Sequence, residues 1–212
     1  YFKLGDNIIY NPEETDNYTP NGNDATNIFN GNFDGQGHTI SGIRIDSYDA
    51  YQGLFGNVGS SANISNLLLY NANISGSTNT GLIAGYTAGG ATVNAYWRNC
   101  TLNNVAQNNV FVINSGSEYV TSPAQANISY NNVEYYANGI TVTLTSTAPS
   151  CYILTNYTVT PTVGDPFDVD EEAGVYSFTL PASDITITAN YQSHYWDGNE
   201  IEIGRASCRE RV

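Results

Sequence analysis

Gly53-Leu54-Phe55-Gly56-Asn57-Val58 is answered 28 residues later by Gly81-Leu82-Ile83-Ala84-Gly85-Tyr86. The same offset carries Tyr70-Asn71-Ala72-Asn73-Ile74 onto Arg98-Asn99-Cys100-Thr101-Leu102. A fixed period of this order marks a repeat architecture, in which each unit buries its apolar face by stacking on the next. Around the pair lie apolar-alternating stretches of strand length: Thr39-Ile40, Ile43-Arg44-Ile45, Ile64 to Tyr70, Val93 to Leu102 and Val110 to Ile113. Gly, Asn and Ser clusters separate them. Two or three such strands per period predict an all-β fold that begins with a right-handed parallel β-solenoid, or β-helix, over residues 1–121. Leu54 and Leu82 are expected to stack in its interior, with Gly53, Gly56, Gly81 and Gly85 allowing the corners. Asn71 and Asn99 are expected to form an internal hydrogen-bonded ladder at a bend.

Phe33-Asp34-Gly35-Gln36-Gly37-His38-Thr39-Ile40-Ser41-Gly42-Ile43 precedes the two glycine motifs. Together they resemble the GLUG-motif region of large bacterial surface and secreted proteins, over about residues 28–104. Tyr1-Phe2-Lys3-Leu4 is similar to the strand that precedes such regions, and Ala84 departs from the stricter Gly or Val of the pattern. The resemblance implies a solenoid and an adhesin-like setting. It implies no chemistry, since the repeat occurs in adhesin-like proteins and beside protease domains alike.

From about Ala124 the texture changes. Val133-Glu134-Tyr135-Tyr136, Ile140 to Leu144, Tyr152-Ile153-Leu154, Tyr157-Thr158-Val159, Val175 to Phe178 and Ile185 to Ala189 alternate at period two, as half-buried strands do. Pro149, Pro161, Pro166 and Pro181 fall between them, where a missing N–H costs no ladder bond. The run Tyr176 to Tyr191, with its Pro181-Ala182-Ser183-Asp184 turn, resembles the small all-β modules repeated in bacterial cell-surface proteins. A small antiparallel module, sandwich- or grasp-like, is therefore expected over residues 124–192. Residues 193–202 read as a linker or the start of a further repeat, through His194-Tyr195-Trp196-Asp197-Gly198. Further domains of the same polypeptide are expected, because the chain opens without Met and looks cut at both ends.

Residues 203–212 resemble, residue for residue, the translation of a short-read sequencing adapter and are read as a non-native extension; the alternative is a short basic tail for an acidic partner. The whole chain carries 20 acidic against 6 basic residues, and without the tail 19 against 3. So negative a surface excludes nucleic acid as a partner, since the cations that neutralise phosphate are missing. No apolar run reaches membrane-spanning length, so no membrane insertion is expected within the chain. Once the tail is set aside, Cys100 and Cys151 remain, each read as a small buried residue rather than a bridge or ligand.

Asp34 and His38 suggest an acid–base or metal pair, or else turn residues with His38 bonding backbone at a bend. Asp165, Asp168 and Asp170, with Glu171 and Glu172, offer hard oxygen ligands for Ca²⁺, or a solvated hairpin loop. Glycoside hydrolysis wants two carboxylates facing across a cleft, for which the first region offers Asp34, Asp46 and Asp49. No nucleophile elbow, zinc-protease, phosphate-loop or dinucleotide signature is present. The reading is thus a non-enzymatic adhesive or stalk module, extracellular or at the bacterial cell surface, without cofactor or metal. Its alternatives are a carbohydrate-active β-helix enzyme, or a spacer beside a protease domain. For a glycan or a host or matrix protein as partner, the binding candidates are Tyr48, Tyr51, Tyr96 and Trp97, drawn from a recurrent set of solenoid aromatics.

Overall fold

The computed structural model describes residues 1–116, 120–121, 126–149 and 152–193; in them the chain is all β, with no helix. Cys151, the sequence His194 to Gly198 and the adapter-like tail lie outside the described residues. Two compact units form. The first takes Tyr1–Val110 with Asn127–Tyr135, the second Phe111–Ala126 with Tyr136 onward. This division falls earlier than the predicted junction near residue 121. Strand Ile113–Ser115 pairs in parallel with Ile185–Ser193, and so belongs to the second unit's sheet.

The first unit is a β-solenoid of about three turns, built by parallel strands stacked in register. Phe2–Lys3, Asn32–Asp34, the front of Asn63–Tyr70 and the front of Thr92–Arg98 form one ladder. Ile8–Ile9, Thr39–Ser41 and the rear halves of the same two long strands form the next. Arg44–Asp46, Asn73–Ser75 and Cys100–Leu102 form a third, and Phe55–Val58 with Ala84–Thr87 a fourth. Side chains in equivalent positions stack inward: Ile40 on Leu69, Ile45 on Ile74, Phe33 on Ile64. Ile43, Val58, Ile64, Leu67, Leu69 and Ile74 are fully buried, and Cys100 joins them at 1% exposure. Phe29, Phe33 and Phe55 add a cluster with ring centroids 4.7 and 5.4 Å apart.

Stacking holds the offset near 28 residues but lets it slip at corners. Ile64 sits opposite Val93, whereas Leu69 sits opposite Trp97, and the residue lost between them is Asn66, a bulge with φ 55°. The glycine motif slips likewise. The Leu54 N–H donates to the Leu82 carbonyl at 3.1 Å, but Phe55 already pairs with Ala84.

Leu54 and Leu82 are interior, at 2% and 6% exposure. The motif glycines serve a different end from conformational freedom, for none of the four has positive φ. They let backbones touch. A Cβ on Gly56 would lie 2.3 Å from the Gly22 carbonyl oxygen and 2.4 Å from that of Tyr51. One on Gly85 would lie 2.4 Å from the Asn79 oxygen and 2.7 Å from that of Gly56.

The predicted internal asparagine ladder is not there. Asn71 and Asn99 are exposed. They stand at the corners because both are left-handed, with φ 50° and 54°, in line with Gly42 at 77° on the preceding turn. Asn tolerates that conformation better than other non-glycine residues. The Asn99 side-chain amide donates outward to the Tyr70 hydroxyl at 2.9 Å.

The third ladder ends by reversal. Cys100–Leu102 folds back on Val105–Gln107 through Asn103 and Asn104, both with positive φ, the two-residue turn whose twist suits an antiparallel hairpin. Ile128–Tyr130 and Val133–Ala137 repeat the device with Asn131 and Asn132.

The second unit packs two sheets face to face. One orders Ile113–Ser115, Ile185–Ser193, Tyr152–Pro161 and Phe167–Val169; the other orders Val120–Thr121, Thr141–Ser146 and Tyr176–Thr179. Alternation selects the buried face: Val142 and Leu144 from one sheet meet Tyr157, Val159, Ile185, Ile187 and Ala189 from the other. Of the two arrangements expected, this is the sandwich. The stretches 152–154 and 157–159 join into one bulged strand, and Pro161, expected between strands, is its last residue, opposite Ile185. In the Pro-Ala-Ser-Asp turn, the buried Ser183 Oγ accepts from the Val163 N–H at 3.1 Å and lies 3.0 Å from the Thr162 hydroxyl. The Asp184 carboxylate accepts from the Val112 N–H at 2.8 Å.

Candidate functional site: a cleft on the solenoid

A cleft of about 400 Å³ opens on the first unit, lined by two loops: residues 16–25 of the first turn, and 45–52 leading into the glycine motif. Its chemistry comes mainly from Asp16, Tyr18, Asp24, Asp49, Tyr51 and Gln52.

Tyr18 is anchored. Its hydroxyl donates to the Leu54 carbonyl at 2.9 Å, and its ring meets Tyr10 edge-on with centroids 5.4 Å apart. Burial, with Tyr10 beside it, pushes the phenol up to about 12, so it stays protonated. Asp24 caps its own loop, accepting from the N–H groups of Asn27 and Thr26 at 2.7 and 2.6 Å and from the Thr26 hydroxyl at 2.7 Å. Those bonds, the Asn27 N–H foremost, hold its carboxyl at about 2. The Asp24 carbonyl accepts from the Asn57 side chain at 3.1 Å, fastening the loop to the next turn.

The other wall is set by the coil. The N–H groups of Tyr51 and Gln52 donate to Thr78 and Asn79 of the following turn at 3.2 and 3.1 Å. Tyr51 has φ 60°, rare for a bulky side chain. Tyr86 packs edge-on against its ring at 6.5 Å. The Asp49 N–H donates to the Ser47 hydroxyl at 3.0 Å, which shapes the loop and leaves the carboxylate outside.

The four aromatic candidates divide. Tyr51 lines the cleft, and Tyr48, 98% exposed, stands on the same loop. Tyr96 and Trp97 lie on strand Thr92–Arg98, where neighbours face opposite sides. Trp97 packs on the core, while the Tyr96 hydroxyl is 3.5 Å from the Asn127 amide. The carboxylate candidates are dispersed as well. Asp34 ends strand Asn32–Asp34, its carboxylate held by the Asn66 side chain at 3.0 Å, the Gln36 N–H at 3.0 Å and the Tyr1 hydroxyl at 3.1 Å. These hold it at about 2, Asn66 contributing most, the opposite of a general acid. Asp46 pairs with Ser75 in a different ladder, and only Asp49 reaches the cleft. His38 donates its backbone N–H to Gly35 at 2.8 Å and accepts from Leu68 at 3.2 Å.

Of the acidic run, Asp168 sits in strand Phe167–Val169 and accepts from the Thr158 hydroxyl at 2.8 Å. Asp165 and Asp170 are exposed on either side of it. Among the described residues no group of three or more His, Cys, Asp or Glu is gathered to hold a metal ion. Sequence reasoning missed Asp16, Tyr18, Asp24 and Gln52. The first three fall on the first turn, which stacks on Phe55–Val58 through Asn21 and Phe29 but carries no copy of the glycine motif in its sequence.

Comparison with known proteins gives two partial matches. A family model described as a divergent InlB B-repeat domain matches residues 119–194. Halomucin from Haloquadratum walsbyi is 40% identical over 70 residues, which make up 32% of this chain and 1% of that protein. No solved structure matches.

Proposed function

We propose that this chain is a fragment of a large extracellular or cell-surface protein, in which it acts as a stalk that also offers an adhesive face. The observation that carries the reading is the pairing of a three-turn parallel coil with a sandwich that matches a divergent InlB B-repeat domain. The partial likeness to halomucin and the resemblance of the coil to GLUG-motif regions support the same setting. Coils and repeat modules gain stability from their neighbours and extend a chain by addition, which suits a role of spacing and display. The acidic surface, with a formal charge of −14, suits an exposed, self-repelling protein.

Antibodies raised against this chain should stain intact cells of the source organism, and external protease should abolish the signal. Staining that requires permeabilised cells would contradict the proposal.

A further inference from the structure

We infer that the cleft formed by residues 16–25 and 45–52 is a binding site for a neutral oligosaccharide. The inference gives the proposed adhesive face a location and a ligand class.

Tyr51 is the first reason. Among the described residues eleven non-glycine positions have positive φ, and eight of them are Asn: Asn66, Asn71, Asn79, Asn99, Asn103, Asn104, Asn131 and Asn132. This chain gives its left-handed corners to the residue that bears them most readily, yet at φ 60° in the cleft wall it places a tyrosine. Strain of this kind in a concave site marks a side chain held for its chemistry. Tyr86 buttresses the ring from its edge.

Unspent acceptors are the second. Gln52 is only 5% exposed and its Nε2 donates to the Ala50 carbonyl at 2.9 Å; no described residue donates to its Oε1. The carboxylates of Asp16 and Asp49, exposed beside it, have no hydrogen-bond partner among the described residues. Asp24 differs, its oxygens already taken by the loop.

Together these choose a ligand. An aromatic ring offers a platform for the apolar C–H face of a sugar, and amide and carboxylate oxygens accept from its hydroxyls. No Lys or Arg lines the cleft, while three Asp do, so uronates, sulfated sugars and phosphates meet repulsion. The volume is at the small end of ligand sites and suits a short oligosaccharide rather than a single ion.

The purified chain should be titrated calorimetrically with cellotriose, maltotriose and mannotriose, and separately with trigalacturonate and spermine. At least one neutral trisaccharide is expected to bind, and trigalacturonate not to bind. Tyr51→Ala should weaken that binding by about 10-fold or more, the scale of an aromatic anchor. Asp49→Asn, whose backbone bonds are untouched, should weaken it several-fold with an unchanged melting curve; it carries the test if Tyr51→Ala unfolds. Three results would each overturn the inference: no neutral trisaccharide bound at about 10 mM, binding indifferent to both substitutions, or binding of spermine alone. The isolated chain is used, so failure here leaves the cell-surface proposal standing.

Discussion

Asn71 and Asn99 occupy the same corner on successive turns, both left-handed, and the Asn71 N–H donates to the carbonyl of Arg98, just ahead of Asn99, at 3.0 Å. The repeat thus writes a backbone conformation, not a side-chain contact. It follows that Asn71→Gly should be tolerated, whereas Asn71→Ala should cost about 1 kcal/mol, the penalty of a Cβ in the left-handed region. Urea unfolding followed by Trp97 fluorescence, in a Trp196→Phe background, measures both. Equal losses would place the value of Asn71 in its amide instead.

Acid should loosen the first unit through carboxylates that the fold keeps ionised. Asp24 and Asp34 drop from 3.8 to about 2. Their stabilisation is therefore present above pH 4 and is lost as pH falls toward 2. Asp34→Asn should flatten that acid limb between pH 4 and 2, as read from urea midpoints across the range.

At the alkaline end the sign reverses. Burial pushes the Cys100 thiol from 9.0 up to about 11. The unfolded chain gives up this proton first, so stability should decline as pH rises from 9 to 11. Tyr18, raised from 10.0 to about 12, extends the decline. Cys100 should also resist iodoacetamide at neutral pH until the chain unfolds, as peptide mass mapping will show. Rapid native alkylation of Cys100 would contradict its place in the core.

In the sandwich, Ser183→Ala should cost about 1 kcal/mol, since it removes the buried hydroxyl that holds the Val163 N–H and the Thr162 hydroxyl. Hydrogen exchange at the Val163 amide should accelerate in the variant; an unchanged rate would mean that the turn is held by other bonds.

The architecture was legible where one face is buried. Alternation placed Thr141–Ser146 and Ile185–Ser193, and the 28-residue offset placed Leu54 over Leu82. The sequence was silent wherever backbone met backbone. Why Gly56 cannot be alanine depends on carbonyls of Gly22 and Tyr51, one of them more than 30 residues away. Asn71 and Asn99 were seen as a pair but misread, because a left-handed corner and an internal ladder look alike in a list of residues. Among the aromatic candidates, only Tyr51 coincided with the cleft wall. Tyr18 and Gln52 escaped notice because the cleft arises where residues 16–25 and 45–52 come together in space, a proximity that the 28-residue offset does not encode.

The sharpest trial of the coil is a pair of glycine substitutions. A Cβ at Gly56 would meet two carbonyl oxygens at 2.3 and 2.4 Å, while one at Gly89 would meet nothing within 4 Å, and neither residue has positive φ. Urea unfolding read by Trp97 fluorescence should show Gly56→Ala destabilised by about 3 kcal/mol or more and Gly89→Ala changed by less than about 0.5 kcal/mol. Equal stability of the two variants would contradict the stacked parallel coil on which the cleft depends.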